Sequence, residues 1–570
     1  MKTQSLSALY GLQAAGLQPK HELVLQVEDN KSFIIIFWAC ILGGIIPVPL
    51  TAGRNDSDRK KLFQVWSLLN NPTLAVLPGQ LAQLQQFAQK EGLPQINQAC
   101  DMADILLATG EGAVHQPQDD DIAFIQFSSG STGSPKGVVL THANLIANID
   151  GISKGAAYTA NDAMLSWMPL SHDMGMIGFH LNPLLLGIDH YLLPTNLFIR
   201  NPRLWFDKIA EHGITITCSP NFGYRYFLKN LKEEQYNWDL SRVRIIYNGA
   251  EPISETLCVE FNQKMQQYGL KESAICPVYG LAEASVAVCM SDHQATLQTL
   301  YLNRHQLNPG NKVEDTAAID DRMAIVNVGK PIAHCAIKIT DADGIDLGEN
   351  VVGHIRIKGK NVTSNYYNRP ELFQRLLDAA GWMDTGDLGF MRHGALFVTG
   401  RAKDVIFVNG QNYYAHDIEK ETEAVGGVEL NKFVVCGAFN TAKQTEEIVG
   451  FLLHRGTLES MAPVSDAIRQ FINRKFGFEI DQIIAIKDIP KTTSGKLKRY
   501  ELMDRYRSGE FDTVIQALQE LIHIDYEAPA SPAESDLWHI WQEVFQRNDF
   551  GVTQHFFEIG GNSLRAAGVI

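Results

Sequence analysis

FSSGSTGSPKGVVLTHANL, residues Phe127 to Leu145, is a glycine- and hydroxyl-rich loop closed by a lysine and followed by an apolar strand and a helix start. Gly130, Gly133 and Gly137 let backbone N–H groups turn toward one point. Ser128, Ser129, Ser131 and Thr132 add short donors, and Lys136 adds positive charge. Together they read as a nucleotide-phosphate grip. It is not a Walker loop, because Pro135 precedes Lys136 and neither Ser nor Thr follows it. A flexible Gly/Ser linker is the bland alternative, but such linkers do not carry Pro-Lys-Gly and run straight into VVL.

Working outward, 570 residues are too many for one core and imply about three domains. A formal net charge of −15 leaves no basic surplus for a phosphate backbone, which argues against nucleic acid as a partner. Cys40, Cys100, Cys218, Cys258, Cys276, Cys289, Cys335 and Cys436 are scattered singly. That spacing fits neither a zinc site nor a disulfide framework, so a reduced, cytoplasmic setting is expected. FIIIFWACILGGIIPVPL, Phe33 to Leu50, has the length that raises a transmembrane reading. Gly43, Gly44, Pro47 and Pro49 break it, and it reads as a buried helix, a turn and a buried strand. No transmembrane segment and no signal peptide are expected.

The fold class is α/β. From Glu22 to about Thr399, β-branched runs alternate with helical stretches, implying parallel sheets layered with helices, with a β-rich part between His354 and Val398. These make a large N-terminal domain, residues 1–399. A small α+β domain, 400–525, opens with RAKDVIFVNG and carries a helix around Val464 to Phe476. Residues 526–531 form a Pro/Ala linker, and a new helical unit begins at 532 and runs to 570. Ser531, Pro532 and Glu534 supply its N-cap, first-turn proline and capping-box acid, and Leu537, Ile540, Trp541, Val544 and Phe545 recur at helical spacing. Fewer than two helices cannot bury a core, so this unit is expected to be partial.

Six motifs follow in order: the loop at Phe127–Gly137, NGAEP at Asn248–Pro252, YGLAE at Tyr279–Glu283, TGD at Thr385–Asp387, GRAKD at Gly400–Asp404 and SGKLKR at Ser494–Arg499. In this order they resemble the acyl-adenylate-forming enzymes, and FFEIGGNSL at the end resembles the start of a phosphopantetheine carrier domain. The resemblance implies ATP and Mg²⁺ as cofactors. Glu283 would hold Mg²⁺, a hard cation suited to a carboxylate. Tyr279, with Gly280 and Leu281, would stack on adenine beside Asn248, Gly249, Ala250 and Glu251. Asp387 and Arg401 would bind the ribose. Thr132 and Lys136 would act on the phosphates, and Lys496 would hold the substrate carboxylate and the α-phosphate as charge moves. A solvated lysine among Lys491, Lys498 and Arg499 is the alternative for Lys496. Lys403 matches the family's hinge, where a mobile small domain would rotate between half-reactions. Ser563 would carry 4'-phosphopantetheine, installed by a phosphopantetheinyl transferase; an ordinary Gly-Gly-Asn-Ser helix cap is the alternative.

Within the family, SWMPLSHDMGMIGF (Ser166–Phe179), SPNFGYRYF (Ser219–Phe227), LAEA and GQNYYAHDIE resemble the fatty-acyl-AMP ligase branch. His172 would gate between the ATP and acyl sites. Asp173 stands near a position where amino-acid-activating relatives hold an ammonium group, although HDMG is also the fatty-acyl pattern. Met168, Met174, Met176, Ile177, Phe179 and Phe222 suit an alkyl tunnel, and equally a core. Ser291 to Asn327 is longer than a connecting loop needs, and in this branch such an insertion is thought to restrain the small domain and disfavour free CoA. Two departures stand out: Ala282 replaces a common Thr, and the N-terminus before ELVLQV is short. The expected activity is ATP-dependent activation of a medium- to long-chain fatty acid and its transfer to a carrier thiol, feeding downstream biosynthetic enzymes. An acyl-CoA synthetase, an amino-acid adenylation domain or a silent acyl-binding scaffold are the alternatives.

Overall fold

The computed structural model describes residues 1–53, 56–129, 134–232, 236–408, 411–429, 431–440, 445–491, 497–521, 527–545, 548 and 550–553. Gly130, Ser131, Thr132, Gly133, Lys496 and Ser563, with the side chain of Ser129, lie outside the described residues. The chain divides into two compact units: Met1–Leu300 with Ala324–Val398, and Tyr301–Met323 with the described residues from Thr399 onward.

In the first unit a helix over Lys2–Ala14, which the sequence did not announce, buries Ala8, Leu9 and Leu12. Strand Glu22–Leu25 pairs in parallel with Ile46–Pro49 and with Thr73–Val76, which in turn pairs with Ala99–Asp101. The apolar run from Phe33 resolves as expected. Its helix, Asn30–Gly43, is capped by Asp29, which accepts from the Ser32 N–H, and it ends at Gly44 with φ of 65°, a left-handed stop that glycine adopts without strain. Among the described residues no helix is long and apolar enough to cross a membrane. All eight cysteines are free thiols.

A seven-stranded sheet supplies the framework of the site. Its order is Lys330–Pro331, Cys289–Met290, Ile275–Tyr279, Ile245–Asn248, Ile216–Cys218, Ala163–Ser166 and Asp189–Leu192. The last five strands in that order run parallel and the first two are antiparallel edges. Trp205, Tyr224, Phe227 and Phe261 are fully buried in its core, each contributing about 1.5–3 kcal/mol on burial. Asn248 pairs in register with Pro277, so NGAEP and YGLAE leave the sheet side by side at the carboxyl ends of neighbouring parallel strands. That is where open α/β sheets bind ligands. The phosphate loop is the tip of a hairpin, Ile122–Ser129 against Pro135–Thr141, with Ser128 opposite Lys136. Helix His142–Gly155 follows on a Thr141–Asn144 capping box. The β-rich part is an antiparallel sheet of Cys335–Thr340, Gly353–Gly359, Met383–Arg392 and Ala395–Arg401, beginning one strand earlier than the sequence texture suggested.

The second unit holds a sheet of Phe433–Asn440, Thr445–Leu453 and Gln482–Ile486. Its helix runs from Leu458 to Phe476, earlier than expected, because Pro463 sits close enough to the start to forfeit only one hydrogen bond. Tyr301–Met323, from the predicted insertion, belongs to this unit. Arg304 there is buried, donating to Asp417 Oδ2 at 2.6 Å and to the Arg322 carbonyl at 2.9 Å, with its guanidinium 4.9 Å from the Phe476 ring. Helix Pro532–Phe545 has the foreseen cap: Ser531 Oγ accepts from the Glu534 N–H, and Glu534 accepts from the Ser531 and Ala530 N–H groups. Phe545 is buried against Phe550, Trp538 and Trp541.

Candidate active site

NGAEP is built for close approach. A Cβ on Gly249 would stand 2.8 Å from Val278 Cγ2 and 2.9 Å from the Val278 carbonyl, so only glycine lets the two strands end this near each other. Ala250 is left-handed, with φ of 71°, a conformation uncommon outside glycine that is found at functional turns. The turn is held by SPNFG: Asn221 donates to the Pro252 carbonyl at 2.5 Å and accepts from Asn248 Nδ2 at 3.2 Å, and the Phe222 N–H donates to Glu251 Oε1 at 2.8 Å. The Glu251 side chain thus serves the N-terminus of helix Asn221–Asn230. Asn248 Oδ1 is buried with no partner among the described residues.

YGLAE brings two of the expected groups together. Tyr279 donates its hydroxyl to Asp387 Oδ2 at 2.8 Å, joining the expected adenine and ribose residues. A Cβ on Gly280 would fall 1.7 Å from the Val286 carbonyl, which fixes glycine there. Leu281 precedes a short 3₁₀ turn, Ala282–Ala284, that presents Glu283. Glu283 Oε1 accepts from Tyr366 Oη at 2.7 Å, and Lys136 Nζ lies 5.1 Å from the centre of the Tyr366 ring. Tyr366 therefore links the phosphate hairpin to the expected metal carboxylate. Burial, and next the Glu283 charge, push its phenol far above the usual range, so it stays protonated as a donor. Sequence reasoning missed it. It sits in an ordinary-looking YYNRPE run, and only the fold brings it 83 residues back to Glu283.

HDMG opens a π-helical segment, Met174–Leu181, a geometry that recurs at functional sites. His172 Nδ1 lies 2.6 Å from Asp173 Oδ1, and the same carboxylate oxygen accepts from the Met174 N–H at 2.7 Å. The Met174 N–H also reaches His172 Nδ1 at 3.2 Å, so the ring and the carboxylate share one backbone donor. Beyond it lies a cavity of about 660 Å³, open mouth included, lined by His172, Met174, Phe179, Tyr247, Tyr279 and Met290 among others. Of the six apolar candidates for a tunnel, Met174 and Phe179 line it. Met168, Met176 and Ile177 are core, and Phe222 stacks on Tyr226 at 5.6 Å.

Arg401 ends strand Ala395–Arg401, and Lys403 sits in the 3₁₀ turn Ala402–Asp404; both belong to the second unit. There Arg499, last residue of SGKLKR, is not a solvated surface charge. It is largely buried, its side chain 17% exposed, with Nη2 at 2.6 Å from Glu419 and Nη1 at 3.2 Å from Asp404 of GRAKD. Lys491 and Leu497, flanking the expected catalytic lysine, form an antiparallel bridge.

A family model described as AMP-binding enzyme matches residues 3–367. The chain belongs to the AMP-binding enzymes. It is an adenylate-forming enzyme, activating an acid as its acyl-adenylate with ATP. Three similar proteins show the breadth of the family. A protein of Caulobacter vibrioides named as a candidate acyl-CoA synthetase is 31% identical over 508 residues, 88% of each chain. The medium-chain-fatty-acid–acyl-carrier-protein ligase TtuA of Teredinibacter turnerae is 32% identical over 409 residues, covering 68% of this chain and 63% of TtuA. The structure of McyG A-PCP complexed with phenylalanyl-adenylate superimposes with a TM-score of 0.85 at 30% identity, covering 99% of this chain and 87% of that one.

Proposed function

We propose that this AMP-binding enzyme adenylates a fatty acid and passes the acyl group to phosphopantetheine on Ser563 of its own terminal carrier segment. The three similar proteins carry names with three different acids or acceptors, so the site must discriminate among them. One observation carries the choice of acid. The Asp173 carboxylate, the available anchor for a substrate ammonium, is already engaged by His172 and by the Met174 N–H. Apart from His172 and Asp173 at one side, the cavity is lined by Met, Phe, Ile, Val, Ala, Gly and Tyr, which suits an uncharged chain. An ammonium group entering it would have to compete with His172 and the Met174 N–H for Asp173, and elsewhere in the cavity would be buried without a partner, which is costly.

The chain's own groups fit the nucleotide and its cation. Among the described residues no group of three or more His, Cys, Asp or Glu is placed to hold a metal ion by itself. Mg²⁺ is typically held by one or two carboxylates together with phosphate oxygens, a role open to Glu283. MgATP supplies the phosphorus that the substrate carboxylate attacks, with the cation offsetting phosphate charge. Tyr366 holds Glu283 in one orientation and Lys136 near the hairpin tip. Tyr279 holds Asp387 where ribose hydroxyls can be accepted. Lys496 would neutralise the two anions as they meet.

The choice of acceptor is supported by connectivity. Among the described residues the chain passes between the two units at 300/301, 323/324 and 398/399, so the insertion adds two covalent connections to the one at 398/399. The buried Arg304–Asp417 pair fastens the insertion within the second unit. Such a tether restricts large rotations of that unit, as the fatty-acyl branch is thought to do against free CoA. Pyrophosphate exchange with parallel fatty-acid and amino-acid series tests the choice of acid. Exchange with fatty acids alone supports it, and exchange dominated by an amino acid sinks it.

A further inference from the structure

We propose that Tyr158, held by Tyr247 and Arg244, plugs the inner end of the acyl cavity and limits the enzyme to medium-chain acids; this rests on the fatty-acid reading above. The cavity begins beside Ala250 and Gly280, at the carboxyl ends of the central strands. Tyr247 lines it from within strand Ile245–Asn248 while Ala250 lies in the turn that follows, so the three-residue step between them spans at most about 10 Å. With ~1.5 Å bonds at tetrahedral angles, a zigzag chain fills that upper bound in about eight carbons.

What closes the far end is a braced phenol. Tyr158 also lines the cavity, and its hydroxyl meets that of Tyr247 at 2.8 Å. Its neighbours Lys154, Gly155 and Ala157 are exposed, so the ring stands between the cavity and solvent. The Arg244 guanidinium lies 5.8 Å from the ring centre, donates to the Ala156 carbonyl at 2.8 Å, and grips Asp162 through two 2.7 Å hydrogen bonds. Burial keeps both phenols protonated, so neither is a free anion that would admit water. A longer chain cannot displace such a braced ring without breaking the bond between the two buried hydroxyls and the contact with Arg244.

The side wall supports the same view. Two glycines lie in the π-helical segment. A Cβ on Gly175 would fall 2.3 Å from the Pro169 carbonyl, so the fold itself needs that glycine. A Cβ on Gly178, which lines the cavity, would meet no atom within 4 Å. The fold leaves Gly178 free to carry a side chain, and its bareness keeps the cavity wide for a substrate.

The test measures kcat/KM for acyl-adenylate formation with straight-chain acids of about six to sixteen carbons, using the full chain, with cooperative unfolding as the check on folding. Wild type is expected to peak near eight carbons and to fall at least about tenfold at sixteen, given that one methylene too many discriminates 10- to 200-fold. Tyr158→Ala, opening the far end, should raise the sixteen-to-eight ratio at least about tenfold. Tyr247→Phe keeps the volume and cuts the 2.8 Å bond to Tyr158 together with the weak 3.9 Å contact to Met290 Sδ, and should move the ratio the same way by less. Gly178→Leu should move the peak to shorter acids. If Tyr158→Ala does not fold, the other two variants decide. Activity on fatty acids with an unchanged length profile overturns the plug alone. No activity on any fatty acid overturns the functional reading and the plug with it.

Discussion

Arg304→Met isolates the contact that fastens the insertion. The Arg304 and Asp417 side chains are 3% and 8% exposed and their charged atoms lie 2.6 Å apart, so the pair is shielded from solvent and salt. Removing one partner from such a pair costs about 3–5 kcal/mol, mostly the penalty of leaving the other charge buried. Met retains the bulk of the stem over Phe476, so the loss reports charge more than packing. Burial already pushes the Asp417 carboxyl up to about 6, with Arg304 pulling it back. A folded value above the unfolded one means that Asp417 adds its full stability below about 3.8 and loses it as pH rises through about 6. Without Arg304 the carboxyl moves higher still. The variant should therefore lose more stability at pH 8, where the bare carboxylate must be buried or protonated, than at pH 5.5, where it is already largely neutral. Urea unfolding at both pH values, with hydrogen-exchange mass spectrometry of Tyr301–Met323 and Ala415–Thr422, measures this. Arg304→Met with Asp417→Leu should recover most of the loss. A loss below about 1 kcal/mol at pH 8, or equal losses at the two pH values, would refute the reasoning.

Three further outcomes follow from the site. Tyr366→Phe should weaken Mg²⁺-dependent ATP binding about tenfold by titration calorimetry, since Glu283 loses a charge-assisted hydrogen bond, and unchanged binding would remove Tyr366 from the site. Lys496→Ala should abolish adenylation while leaving thioester formation from supplied acyl-adenylate largely intact; equal loss of both steps contradicts its assigned role. His180, buried between Trp38 and His190, is pushed down to about 3, so its contribution is present above the unfolded value near 6.5 and lost as pH falls. Stability should drop by about 1.4 kcal/mol per pH unit below pH 6 from this one group, and His180→Gln should flatten that slope.

Legibility in the sequence followed locality. The hairpin that carries the phosphate loop, the βαβ start and the Ser531–Glu534 cap were readable because glycine, proline and capping side chains act on their own neighbours. NGAEP and YGLAE were readable as motifs, but their adjacency came only from the register of two parallel strands. Tyr366 and the Arg304–Asp417 pair were invisible because each joins positions far apart in the chain. Arg499 looked like part of a basic surface run, since sequence does not show that Glu419 and Asp404 enclose it. The π-helical turn after HDMG has no periodicity that distinguishes it from an ordinary helix. It nevertheless sets which of the expected tunnel residues face the cavity.

The account turns on where the activated acyl group goes. Intact-mass spectrometry of the full chain, pantetheinylated and incubated with ATP, a fatty-acid series and free CoA in competition, answers this directly. The prediction is acyl mass on the protein with little acyl-CoA, lost in Ser563→Ala while pyrophosphate exchange persists. Dominant acyl-CoA, or loading that survives Ser563→Ala, would contradict it.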